Sequence, residues 1–355
     1  MTAARGTDIR EHEAADLDTG RGDVRAVLRR LGEAGSFGIP GADPVDELLP
    51  SVRVVRELAT GSLAAAFSAW SQRMVIEYLR CCPPPESEPS LVQALRAGEV
   101  TGATALAPAV SDLAGHAELP VVAVPDGDGW RLSGRIGWAS NLFDDAVVVT
   151  PARTPDEGRL VVMFRATAPG VVPVPFHALL GLNGTGTGAL ELDGVPLGRG
   201  QILSDDLPDF MAVCRPAMLL MQTALAVGVA DGALEHAAER LIGVAAVLRA
   251  DHEELAERRD EIAIRMEDQA GSRVGIGPGD LARVRLDAMD VAARAVRLES
   301  AVSGSSGYLA GSATARRVRE AAFLPVQAPT EAQLRAEVAA TGSRDERGPG
   351  RGPEG

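Results

Sequence analysis

LPVVAVPDGDGWRLSGRIGWASN, residues 119–141, is the stretch whose reading decides the fold. Two short runs rich in valine and tryptophan flank DGDGW (126–130), and that turn chemistry marks a hairpin. The same texture continues through DAVVVTPAR, RLVVMFRA and GALELDG to about residue 200. Short β-branched segments separated by Gly, Asp and Pro predict antiparallel strands over 101–200.

Outside this block the apolar period lengthens. VRAVLRRLGEAG (24–35) repeats apolar positions every three to four residues and stops at Gly35, a helix-ending glycine. VRVVRELATGSLAAAFSAWSQRMVIEYL (52–79) continues that period, until the prolines of CCPPPESEPS (81–90) end it. A short helix, LVQALRAG, follows. Beyond Pro208 long helices are predicted near 209–245, 247–270 and 279–303, then shorter ones at 312–322 and 329–340. The expected organisation is a mobile N-terminus (1–22), an N-terminal helical domain (23–100), a central antiparallel β-barrel-like domain (101–200), a C-terminal helical bundle (201–340) and a disordered tail (341–355). The class is α+β, multidomain.

Composition narrows the function. The chain has 355 residues, enough for two or three cores, and a net charge of −14, which repels phosphate backbones and anionic lipid. Nucleic acid and membranes are therefore not expected partners. Aromatic residues make up only 3%, so the helices must pack on Ala, Leu and Val. The three cysteines, Cys81, Cys82 and Cys214, lack metal-ligand spacing and read as reduced thiols of a cytoplasmic protein. The first residues carry no apolar core, so no secretory signal is predicted. PAMLLMQTALAVGVA (216–230) has 15 residues against the roughly 20 that a bilayer needs, and reads as a helix buried on nearly all sides.

Five phrases in this order resemble the acyl-CoA dehydrogenase superfamily over roughly residues 25–340. They are LGEAGSFGIPG (31–41), ALAPAVSDLAG (105–115), LSGRIGWASN (132–141), GLNGTGTGALELDGVPL (181–197) and GSSGY (304–308). The resemblance implies FAD as cofactor, with FMN or a loosely bound reduced flavin as alternatives. It implies that Trp138 lies beside the flavin ring and that Ser140 offers a hydroxyl to it. Leu106, Ala107 and Ser111 would line the other side of the cleft, and Gly304, Ser305 and Thr330 would also contact the cofactor. Read from the residues alone, Trp138 is a packed strand aromatic and Ser140 a turn hydroxyl. SGSSGYLAG reads either as a close approach to a cofactor or partner, or as a plain turn.

The resemblance also implies a catalytic glutamate in a Y-E-G-T-x-E-I-Q segment. Here VQAPTEAQ (326–333) fills that segment, and Gln327 stands at the glutamate's place. A carboxamide has no useful basicity near neutral pH. The family's alternative position, on the first long bundle helix, corresponds to Met218. Glu331 reads instead as part of a helix start. Pro329 replaces a cofactor-holding hydroxyl residue, and no Phe-Gly follows Arg240 where a partner-subunit contact is expected. His116, just after ALAPAVSDLAG, is the best-placed histidine for proton handling. His236 and His252 read as solvated, and Arg73 as a buried arginine paired with Glu77.

The expected function is a flavin-dependent oxidoreductase acting on an acyl thioester or small organic substrate. The alternatives are a two-component flavin monooxygenase of the same fold and a non-redox partner subunit of a complete homologue. A homodimer or homotetramer is expected, served by an electron-transfer partner or a flavin reductase.

Overall fold

The computed structural model describes residues 6–38, 44–83, 89–272 and 277–345. Five helices come first: α1 (Glu11–Thr19), α2 (Arg25–Glu33), α3 (Pro44–Gly61), α4 (Leu63–Cys81) and α5 (Pro89–Arg96). Gly35, at φ 70°, closes α2 as its sequence predicts. The continuous period over 52–79 is cut at Gly61. Ser62 leaves the helical region and its Oγ accepts from Ala65 N at 3.3 Å, capping α4.

Residues 6–22 are not the mobile arm expected of them. Helix α1 is tied down by long-range ion pairs: Glu13 to Arg30 at 3.1 Å, Glu11 to Arg316 at 2.9 Å and Asp18 to Arg319 at 2.5 Å. Asp18 is buried and also accepts from Leu182 N. The polar residues that suggested mobility are the ones that anchor the segment.

The middle of the chain forms one sheet from β1 (Gly102–Thr104), β2 (Val121–Asp126), β3 (Gly129–Ala139), β4 (Val147–Arg153), β5 (Arg159–Arg165), β6 (Val171–Pro175), β7 (Gly188–Leu197) and β8 (Ile202–Ser204). A short helix, α6 (Ala107–Leu113), interrupts it. The spatial order is β6-β7-β3-β2-β4-β5-β8, with β1 beside β4. The hairpin closes at Asp126↔Gly129, and Gly127 supplies a φ of 59° that a side chain would resist.

The all-antiparallel expectation needs a correction. β1 runs parallel to β4, and β2 meets β4 in parallel at Val122↔Arg153. The polar groups of β1 find their other partners on a helix. Ser71 Oγ donates to Gly102 O at 2.9 Å, and Gly102 N donates to Gln72 Oε1 at 2.6 Å. Side chains of α4 thus do the work of a neighbouring strand.

β4 is buried on both faces. Val147 and Val149 belong to the helical core, while Val148 and Ala152 belong to a separate core inside the sheet. The two-residue period of a strand divides them.

The bundle comprises α7 (Leu207–Ala238), α8 (Arg249–Gly271), α9 (Pro278–Gly307), α10 (Ala313–Ala321) and α11 (Glu331–Asp345). α7 is long and apolar enough to cross a membrane, yet its apolar window is entirely buried within the protein. It lies close against α3: a Cβ added at Gly228 would come within 2.3 Å of Arg56 O. Helix α11 continues into the stretch expected to be disordered; residues 346–355 lie outside those described.

Candidate active site

A cavity of about 640 Å³ opens between the sheet and the bundle. Its sheet-side wall begins at the end of β3. Leu132 and Ile136 are buried two periods apart, and a register shift between Ile136 and Ala139 breaks the alternation. Ala139 then takes the inward place, and Trp138 is left 61% exposed on the cavity. Its ring leans on Phe176, with centroids 4.4 Å apart. A strand tryptophan meant for packing would be buried, so this one is presented.

Beside it runs a chain of hydroxyls that sequence reasoning missed. Ser140 Oγ lies 2.6 Å from Thr187 Oγ1, which lies 2.7 Å from Thr185 Oγ1, which donates to Leu182 O at 2.8 Å. The GTGTG run (184–188) was the available signal: hydroxyls alternate with residues that permit close approach. Thr104, Leu106 and Ala107 continue the wall. Thr104 pairs with Tyr78 OH at 3.0 Å, and burial holds that phenol far above its ordinary pKa.

The bundle-side wall comes from Phe67 and Trp70 of α4, Met218 of α7, Phe323, and residues 326–328 of the strap that joins α10 to α11. Gln327 lines the cavity from this strap. It is 6% exposed, and both ends of its amide are buried without a hydrogen-bond partner, as is Trp70 Nε1. Buried amides without a protein partner are uncommon, so the Gln327 amide remains free to hydrogen-bond with an occupant of the cavity. Both positions where the family resemblance expects a base, 327 and 218, face the same cavity. Neither carries a carboxylate. Among the described residues, no Asp, Glu or His lines it, and its one cation, Arg319, is paired with Asp18.

The other residues singled out from sequence lie elsewhere. Thr330 and Gln333 form a capping box for α11: Thr330 N donates to Gln333 Oε1 at 2.8 Å, and Gln333 N donates to Thr330 Oγ1 at 3.3 Å. Gln333 Nε2 then donates to Ser111 Oγ at 3.1 Å. Thr330 and Ser111 are therefore engaged with each other's surroundings and do not line the cavity. Gly304, in a positive-φ kink, and Ser305 are exposed at the far end of α9. His116 lines a separate hollow with Arg215 and Glu337, away from Trp138 and Gln327. His236 is not free in solvent; its Nδ1 lies 2.7 Å from the buried Glu299. His252 Nε2 lies 3.1 Å from Leu234 O. Arg73 is buried against Glu77 at 2.7 Å, as its spacing suggested.

No protein-family model matches the chain, and no curated protein does. Solved structures do match. A glutaryl-coenzyme A dehydrogenase in complex with glutaryl-CoA aligns with a TM-score of 0.81 and 20% identity, over 92% of this chain and 89% of that one. The prolyl acyl carrier protein oxidase AnaB aligns with a TM-score of 0.80 and 17% identity, over 92% and 93%. A protein described as an FAD-dependent dehydrogenase aligns with a TM-score of 0.78 and 17% identity, over 93% and 96%. At such identities the likeness establishes the fold, which is that of the acyl-CoA dehydrogenases.

Proposed function

We propose that the protein is a flavin-dependent oxidoreductase whose reaction uses no carboxylate base from this chain. One observation carries the proposal. Trp138 and Ser140 from the sheet, and Gln327 and Met218 from the bundle, share one largely apolar cavity. Its size lies within the range of small-molecule and cofactor sites, ~300–1,000 Å³. FAD is the cofactor assigned, since the chain shares its fold with an FAD-dependent dehydrogenase and the cavity offers a ring-sized apolar slot.

Trp138 would bear on the ring, and Ser140 would offer its hydroxyl, with Leu106 and Ala107 closing the side. Flavin supplies two-electron redox chemistry when bound. The protein's own contribution is to bind, to exclude water with Phe67, Trp70 and Phe323, and to present an amide at residue 327. That amide donates and accepts hydrogen bonds but cannot remove a carbon-bound proton. The substrate class is an acyl thioester or a small organic molecule. The glutaryl-CoA and acyl-carrier-protein enzymes of the same fold support a thioester. A homodimer or homotetramer and an electron-transfer partner complete this reading.

The missing carboxylate favours a second reading, a monooxygenase supplied with reduced flavin by a separate reductase, because no α-proton then needs a base. The test is the visible spectrum of the purified protein with and without added FAD. A flavin spectrum supports redox function. Anaerobic bleaching by acyl-CoA selects dehydrogenation, and oxygen uptake only with added reduced flavin selects the monooxygenase. A protein that gives no bound-flavin spectrum with added FAD and no oxygen uptake with added reduced flavin overturns the proposal and leaves a non-redox subunit.

A further inference from the structure

The strap that carries Gln327 is held in an unusual way. Three successive backbone carbonyls accept from two buried side chains of the bundle. Arg285 Nη2 donates to Gln327 O at 2.9 Å, Gln222 Nε2 donates to Ala328 O at 3.0 Å, and Arg285 Nη1 donates to Pro329 O at 2.7 Å. Arg285 stands on α9 and Gln222 on α7, and each is 1% exposed. Among the described residues, no carboxylate pairs with Arg285. Burial, and then the charge of Arg215, push the pKa of its guanidinium down to about 9.

A buried cation without a counter-ion is costly, and an apolar residue would pack α9 more cheaply. What Arg285 supplies that no apolar residue can is a planar fork, fixed by helix packing, that spans two carbonyls. Gln222 secures the carbonyl between them. With its backbone gripped at both ends, the strap seats the 6%-exposed Gln327 side chain in the cavity wall, where its amide is held by packing and has no hydrogen-bond partner of its own.

We infer that Arg285 and Gln222 are positioning residues that fix the Gln327 amide at the cavity. The inference rests on the cavity being the active site, but its primary test needs no flavin. The side-chain ¹⁵N amide signal of Gln327, identified by its loss in Gln327→Ala, reports the order of that group directly. It should be rigid in the wild-type protein. Gln222→Met, which keeps volume and removes the donor, should mobilise it, and Arg285→Met should mobilise it more. Arg285→Lys, which can still reach one carbonyl, should fall between wild type and Arg285→Met. Melting temperature separates this from general destabilisation: Gln222→Met should melt close to wild type while the signal changes. If the Gln327 amide is equally ordered in all three variants, or already mobile in the wild type, the inference is overturned.

A second measurement links the grip to the ligand. With FAD as probe, the Arg285→Lys and Gln327→Ala effects on affinity should not add, their coupling reaching roughly five-fold. Additive effects would overturn positioning through Gln327. Absence of FAD binding by the wild type would strike the flavin reading and leave the amide measurement standing.

Discussion

The two walls of the cavity are made in opposite ways. The sheet-side wall stays within one domain: a register irregularity in β3 turns Trp138 outward, and two hydroxyls from the segment before β7, Thr187 and Thr185, line up behind Ser140. The bundle-side wall is assembled at long range. Residue 327 is set by residues 222 and 285, and α4 brings Phe67 and Trp70 from the other end of the sequence. A wall carried by one sheet depends on the pairing of its own strands. A wall gathered from four separate segments is sensitive to each of them.

The largest expected effect tests the bundle side. Gln327→Glu returns a carboxylate to the cavity. If the wall presents residue 327 to the substrate, the variant should gain acyl-CoA-dependent flavin bleaching by about 10²-fold or more over wild type, the usual scale of a positioned general base. No gain would mean that residue 327 does not meet the reacting carbon.

The next concerns α4. Glu77 is buried, which raises its pKa, but Arg73 and Arg80 outweigh burial and hold the carboxyl below the ordinary range of a glutamate. A depressed carboxylate contributes stability that is complete above its unfolded pKa and fades as pH falls through its folded one. Glu77→Gln should therefore cost about 3 kcal/mol at pH 7, the scale for removing one partner of a buried pair. Urea unfolding should show the gap to wild type narrowing below pH 4.5. A gap that stays constant down to acid pH would separate α4 from this ion cluster.

On the sheet side, Trp138→Ala should weaken flavin binding roughly five- to ten-fold, about 1 kcal/mol of ring contact, with little change in melting because the ring is exposed. A large loss of stability instead would make Trp138 a packing residue and erase the contrast. The smallest effect belongs to Thr330→Ala. It removes half of a capping box, costs about 1 kcal/mol of stability, and should leave flavin affinity unchanged.

Much of this molecule can be read in its sequence. The change of apolar period near residues 101 and 208 separates helices from strands, and DGDG announces the hairpin that is found. Gln327 and Trp138 were visible through the phrases around them, and they line one cavity. The differences have physical causes. Thr330 was matched to a cofactor role by position, although T-x-x-Q before an apolar helix is itself a capping signal. Ser111 was placed on the cleft by the family resemblance; in the fold it stands on α6 and its hydroxyl accepts from Gln333. The polar N-terminus looked mobile because its partners, Arg316 and Arg319, lie some 300 positions away. Gln222 shows in the sequence only as the polar break in the apolar run 216–230, and Arg285 does not stand out at all. Nothing in their neighbourhood on the chain shows which carbonyls they will meet.

The double burial of β4 has a mechanical consequence. Its alternate valines are shared by two interiors, so neither interior can lose its packing while the other keeps it. Pulling the strand free would strip both at once. Excised by itself, the segment spanning residues 101–204 would turn Val147, Val149 and Val161 toward water and would aggregate through that face. The boundary that looks like a seam in the sequence is, in three dimensions, the keystone.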